Sequence, residues 1–157
     1  MGPTPEDREL TDTLVGLSRL LEGVKATESR RLGLTPQQAE LLCVIEPGER
    51  THGELASLLH CDKTNITGLV GRLERRALVR RQAAPTDRRV THVALTDEGA
   101  ALMARFRDAV TTAVAEPFTA WPADSRATLT RLARTATELL ADEQDRAAGV
   151  TRAATRS

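Results

Sequence analysis

Residues 51–96 read THGELASLLHCDKTNITGLVGRLERRALVRRQAAPTDRRVTHVALT, and the order of caps and apolar positions in this stretch decides the fold. Thr51-His52-Gly53-Glu54 carries the threonine and glutamate of a capping box, so a helix opens there, with Leu55, Leu58 and Leu59 expected inside. Asp62 is the next good N-cap. Behind it Ile66, Leu69, Val70 and Leu73 recur at three- and four-residue steps, the spacing of one buried helix face. Two short helices joined so tightly make a helix-turn-helix. Residues 78–83 and 89–95 then read as strands, the second alternating Thr91, Val93 and Leu95. Ala84-Pro85-Thr86-Asp87-Arg88 between them holds turn formers, so the pair is expected to be a two-stranded hairpin, or wing.

Charge singles out the same stretch. From Cys61 to Leu95 eight basic residues (Lys63, Arg72, Arg75, Arg76, Arg80, Arg81, Arg88 and Arg89) face three acidic ones (Asp62, Glu74 and Asp87), in a chain of 157 residues whose formal net charge is zero. A local basic surface beside a helix-turn-helix is the electrostatic footprint of a phosphate-backbone binder. Aromatic residues are scarce (Trp121, Phe106, Phe118 and no tyrosine), which argues against single strands or RNA loops, whose bases stack on aromatic faces, and for duplex DNA.

Working outward, Leu10, Leu14, Leu17, Leu20, Leu21 and Val24 predict a long amphipathic helix over residues 6–30, ended by Gly33. Thr35, Pro36 and Gln38 form a second capping box, followed by a buried stripe at Leu41, Leu42 and Ile45 and a break at Glu46-Pro47-Gly48. After the wing, Thr96 caps a helix that carries Leu102, Met103, Phe106, Ala109, Val110, Ala113 and Val114 as far as Pro117. A last helix over about 123–145 has its stripe at Leu129, Leu132, Ala133, Ala136, Leu139 and Leu140, and the tail beyond has no periodic pattern and is expected to be frayed. The fold class is mainly α: a winged helix-turn-helix with long helices before and after it. The first and last helices are too long and one-sided to be covered within so small a chain, so they are expected to pair between two copies. The division expected is a dimerisation helix at 1–34, a DNA-binding domain at 35–99, dimerisation helices at 100–146 and a flexible tail at 147–157.

In helix-turn-helix proteins the N-terminal half of the second helix enters the major groove. Here that surface offers Lys63, Thr64, Asn65, Thr67, Gly68 and Arg72. Asn65 can bond adenine through both amide groups, Thr64 and Thr67 can donate or touch a thymine methyl, and Arg72 can reach guanine or phosphate. Lys63 and Arg76 are assigned to phosphates. The plainer reading is a solvated helix face with Asn65 merely supporting the helix start.

Nothing points to catalysis. The sequence has no phosphate loop, no paired-carboxylate motif and no Ser/His/Asp or Cys/His constellation, so neither an enzyme nor a bound cofactor is expected. The N-terminus, MGPTPEDREL, has no signal-peptide core, and no apolar run is long enough to span a bilayer, which predicts a cytoplasmic protein without a membrane partner. Cys61, at the turn before the second helix and near Lys63, would favour a thiolate and could gate DNA binding, although an inert small residue in a turn is the commoner case. Cys43 is expected in the core. His52, His60 and His92 match no compact metal-ligand spacing, and no metal site is assigned.

LTPQQAELL at 34–42, GELASLL at 53–59, NITGLVGRLERRALVRR at 65–81 and PTDRRVTHVALTDEG at 85–99 together resemble the MarR family of bacterial transcription regulators, and the likeness covers nearly the whole chain. The resemblance implies a homodimer with interlocking terminal helices, each winged unit reading half of a pseudo-palindromic operator, most often as a repressor. It implies a wing tip in which Asp87 orients the loop and Arg88 or Arg89 enters the minor groove. It also implies a small aromatic effector bound among the first, second and fifth helices. Ala77 departs from the family, which often has glycine there, and the helix is expected to end without a left-handed residue. The alternatives are a thiol- or metal-responsive sensor gated at Cys61 and a winged-helix module that binds another protein.

Overall fold

The computed structural model describes residues 2–83 and 90–154, with side chains as far as Arg146. Asp87, Arg88 and Arg89 at the wing tip lie outside the described residues. Residues up to Val114 form one compact unit and those from Ala115 onward a second.

Each early helix starts where its local chemistry dictates. Helix α1 (Pro5–Arg31) is capped by Thr4, whose hydroxyl accepts from the Asp7 N–H while the Asp7 carboxylate accepts from the Thr4 N–H, and Pro5 stands in the first turn. The Thr4 hydroxyl, which also donates to that carboxylate at 2.7 Å, and then the Thr4 N–H hold the Asp7 carboxyl below its ordinary range. Helix α2 (Pro36–Ile45) repeats the device with Thr35 and Gln38. Strand β1 (Arg50–Thr51) leads directly into α3 (His52–Leu58), where Thr51 and Glu54 form a third reciprocal cap. Helix α4 (Lys63–Arg75) has Asp62 accepting from the Asn65 N–H at 2.8 Å.

Three of these helices end alike. Gly33, His60 and Ala77 follow α1, α3 and α4 with φ of +71°, +49° and +56°. In each case the next residue's N–H reaches back five positions: Leu34 to Ser29, Cys61 to Ala56 and Leu78 to Leu73, at 2.9–3.0 Å. These are Schellman endings, which satisfy carbonyls that the helix leaves without partners. The expectation for Ala77 is overturned: the left-handed residue is present, and alanine occupies it.

Strands β2 (Val79–Ala83) and β3 (Thr91–Leu95) pair antiparallel with Val79 opposite Leu95. The sheet has a third strand that the sequence pattern did not disclose. Residues Arg50 and Thr51 of β1 pair with Val93 and His92 on the far side of β3, giving the order β1-β3-β2. The alternation of β3 is also incomplete, since Ala94 is buried beside Val93.

The core gathers one face from each of α2 to α5 and from β2 and β3: Leu41, Leu42 and Ile45 of α2, Leu55 of α3, Ile66, Val70 and Leu73 of α4, Val79 and Val93 of the sheet, and Met103 and Phe106 of α5 (Asp97–Ala115). Leu58, expected inside, is instead 53% exposed, because α3 is so short that Leu55 and Ala56 alone face the core. Cys43 is likewise exposed, between the buried positions Leu42 and Ile45.

In the second unit a 3-10 turn (Glu116–Phe118) precedes α6 (Ala123–Ala154), and Phe118 meets Trp121 edge-on at 5.1 Å between ring centres. The helix continues past Asp145, where its apolar pattern stops, so the backbone described up to Ala154 is helical and not the frayed tail expected. Among the described residues, no helix is long and apolar enough to cross a membrane.

Candidate nucleic-acid interface

Helix α4 sorts its residues by face. Ile66, Leu69, Val70 and Leu73 are buried, and Lys63, Thr64, Asn65, Thr67, Gly68 and Arg72 are all exposed. The start of the helix is capped by Asp62, so the Asn65 side chain is not needed for that purpose and its amide stands in solvent. Thr67 donates its hydroxyl proton to the Lys63 carbonyl at 2.8 Å, which leaves its oxygen as an acceptor and its methyl for apolar contact. Arg72 lies along the same side, its Nη1 3.7 Å from where a Cβ on Gly68 would stand.

The basic residues of the segment divide into two groups. Arg80 donates to the Leu95 carbonyl at 2.6 Å and to Gln82, Arg81 faces Glu74 at 3.5 Å, and Arg76 donates to the Gly33 carbonyl at 2.8 Å. These three serve the fold, at least in part. Lys63, Arg72 and Arg75 make no ion pair among the described residues, and all three lie on α4. Among the described basic residues of the segment, those committed to no other part of the protein therefore all lie on the helix whose outer face is polar.

Glu49 is a residue that sequence reasoning missed. Its carboxylate accepts from Gln82 of β2 and stands 3.0 Å from Nδ1 of His92 in β3, so it ties the base of the wing to the loop before β1. No local signal marks it, because both partners are distant in sequence. Gly99 was equally unmarked by periodicity. It lets α5 start against the backbone of Leu78, with the Thr96 hydroxyl accepting from the Gly99 N–H and donating to the Ala77 carbonyl.

The histidines and cysteines do not converge. Among the described residues no group of three or more His, Cys, Asp or Glu side chains is placed to hold a metal ion. Cys61 is half-buried against the core, with its N–H committed to Ala56. Burial, with the Arg81 charge behind it, keeps the His52 imidazole below its ordinary value.

A cavity of about 360 Å³ opens between α1, α2 and α5, lined among others by Lys25, Ala26, Ser29, Ala39, Cys43 and Phe106. Lys25 pairs with Glu22 at 2.7 Å beside it. Cys43 meets solvent on one side and protein on the other, and the loss of hydration pushes its thiol up, so it stays protonated at neutral pH.

A helix-turn-helix, a wing pinned to it and a long helix on either side define a winged-helix fold. The MarR family's sequence profile matches residues 32–90. The chain is 39% identical over 71 residues to the HTH-type transcriptional repressor NicR of Pseudomonas putida, a match that covers 45% of each and so spans less than half the length of that relative. The structure of wild-type MarR from E. coli superimposes with a TM-score of 0.72 at 25% identity, over 87% of this chain and 98% of that one. That of a mutant MepR from S. aureus bound to an oligodeoxyribonucleotide does so with a TM-score of 0.63 at 17% identity, over 83% and 97%, which is a likeness of fold alone. The chain is thus similar to the MarR family in sequence over residues 32–90 and to MarR structures in fold over most of its length.

Proposed function

We propose that the chain is a transcriptional repressor that binds a pseudo-palindromic duplex operator as a homodimer and releases it when a small aromatic effector binds. The observation that carries this reading is the outer face of α4. It holds exposed Lys63, Thr64, Asn65, Thr67 and Arg72, with its cations unpaired among the described residues. Asn65 and Arg72 are assigned to base edges and Lys63 to phosphate, with Gly68 allowing close approach. Asp87, Arg88 and Arg89 are assigned to the wing tip, an arginine entering the minor groove where A·T-rich sequence narrows it and concentrates negative potential.

Dimerisation is supported by two stripes that nothing within their own unit covers. On α1, Leu10, Leu17 and Leu20 are 59%, 43% and 72% exposed, and on α6 Leu132, Leu139 and Leu140 are 57%, 62% and 57% exposed. Single exposed leucines need no explanation, but periodic rows of them on long helices do. Residues 1–34 and 100–146 are accordingly assigned to dimerisation and 35–99 to DNA, and a dimer would set half-site spacing near one helical turn, about 34–36 Å. The cavity between α1, α2 and α5 is lined mainly by apolar surface, with the Lys25–Glu22 pair and Glu40 in its wall, and its size suits a compact aromatic ligand.

The test is selection of genomic fragments by the purified protein, followed by titration of a selected duplex over a range of salt. Affinity should fall with a log–log slope of roughly −0.9 per phosphate neutralised. A flat salt response would favour a protein-interaction module instead. Sedimentation at micromolar concentration should give a dimer.

A further inference from the structure

Arg76 was assigned to phosphate, yet its side chain is turned to the protein. It is the C-cap of α4, and its Nη1 donates to the Gly33 carbonyl at 2.8 Å across 43 positions of sequence. Its Nη2 is beside the same glycine, 3.7 Å from where a Cβ would stand. Gly33 is the left-handed residue that ends α1. Carbonyls at such an end lack intrahelical partners, and a cation there also meets the negative pole of the helix. One residue thus joins the C-terminal end of α4, where its backbone is the cap, to that of α1, where its guanidinium donates. The joint it grips, residues 32–35, is also where α1 and α2, two walls of the cavity, are connected.

We propose that Arg76 is a positioning residue, which braces the C-terminal end of α4 against the joint between α1 and α2 and makes no phosphate contact. The brace fixes the angle at which α4 presents its outer face and makes the hinge of the cavity walls move together with that helix. The role rests on the reading of α4 as the helix that enters the major groove.

The test compares the full-length wild type, Arg76→Ala and Arg76→Lys on a duplex selected by the wild type, titrated at several salt concentrations. Amide hydrogen exchange is followed at Leu34, whose N–H donates to Ser29 within the joint. Loss of one charge-assisted hydrogen bond should lower the affinity of Arg76→Ala by about tenfold at every salt concentration, with the slope unchanged. Lysine can still donate to the Gly33 carbonyl and should restore most of the affinity. Exchange at Leu34 should be faster in the alanine variant alone. A slope shallower by about 0.9 would make Arg76 a phosphate contact and overturn the proposal. Unchanged affinity in Arg76→Ala, or unchanged exchange at Leu34, would overturn it too. If the wild type binds duplex DNA without salt dependence, the reading function fails and the positioning role with it, while the exchange result still reports whether the brace exists.

Discussion

Gly99 in α5 lies directly on the backbone of Leu78: a Cβ added at Gly99 would overlap the Leu78 carbonyl oxygen and stand 3.0 Å from its carbon. The same carbonyl accepts from the Thr96 N–H at 3.1 Å, and the Thr96 hydroxyl reaches the neighbouring Ala77 carbonyl. The end of α4, the start of β2 and the start of α5 therefore meet in one backbone-to-backbone contact that leaves no room for a side chain.

Gly99→Ala should consequently destabilise the protein by about 2 kcal/mol or more, since the overlap is with backbone and cannot be relieved by a rotamer change. Chemical denaturation of the two proteins checks this. A midpoint within error of the wild type would mean that α5 can move away from Leu78 at no cost.

Ala77 presents the opposite case, a residue that bears a conformation better suited to glycine. Its φ of +56° costs an alanine roughly 1–2 kcal/mol. Glycine at that position would be relieved of this cost but would add about 0.4–1 kcal/mol of unfolded-chain entropy. Ala77→Gly should therefore stabilise the protein by about 0.5–1 kcal/mol, measured as a raised denaturation midpoint. A lower midpoint would show that the alanine methyl makes a compensating contact.

Whether these features were legible in the sequence depended on how local their causes are. Thr35, Thr51 and Asp62 cap helices through residues three positions away, so three helix starts could be read directly. The stripe Ile66, Leu69, Val70 and Leu73 obeys the helical period and is buried throughout. Strand β1 escaped because two residues carry no period and Thr51 already served as a cap. The left-handed turn at Ala77 escaped because alanine's local preference is overridden by the ties of Thr96 to residues 77 and 78. The bond from Arg76 escaped because its partner, Gly33, lies 43 positions away at the end of α1, and Leu58 looked buried because α3 is too short to use its whole stripe.

Gly68 separates stability from binding. A Cβ there would meet only Arg72 Nη1, at an ordinary 3.7 Å, so nothing within the chain requires glycine. Alanine in a helix interior is favoured over glycine by about 1 kcal/mol, and Gly68→Ala should raise stability by up to that amount. If α4 seats its outer face in a groove, the added methyl stands between helix and bases and affinity for the selected duplex should fall. Gain in stability with undiminished affinity would remove Gly68 from the interface.

His52 sets a pH dependence whose sign is determined. Burial first, and the Arg81 charge second, hold its imidazole below the ordinary 6.5, with Glu74 opposing them weakly. The folded protein therefore binds fewer protons at this site than the unfolded chain once the pH drops below 6.5, and folding stability must fall over that range. Well above 6.5 the imidazole is neutral in both states and contributes no slope. Glu54, held below its ordinary 4.5 by the bonds from Thr51, adds its own loss of stability only in a lower window, as the pH falls below 4.5. Denaturation of wild type and His52→Gln from about pH 7.5 to about pH 5 should give a smaller loss of stability in the variant. Because the imidazole is only partly buried the difference should be modest, and two parallel profiles would mean that His52 titrates as it does in the unfolded chain.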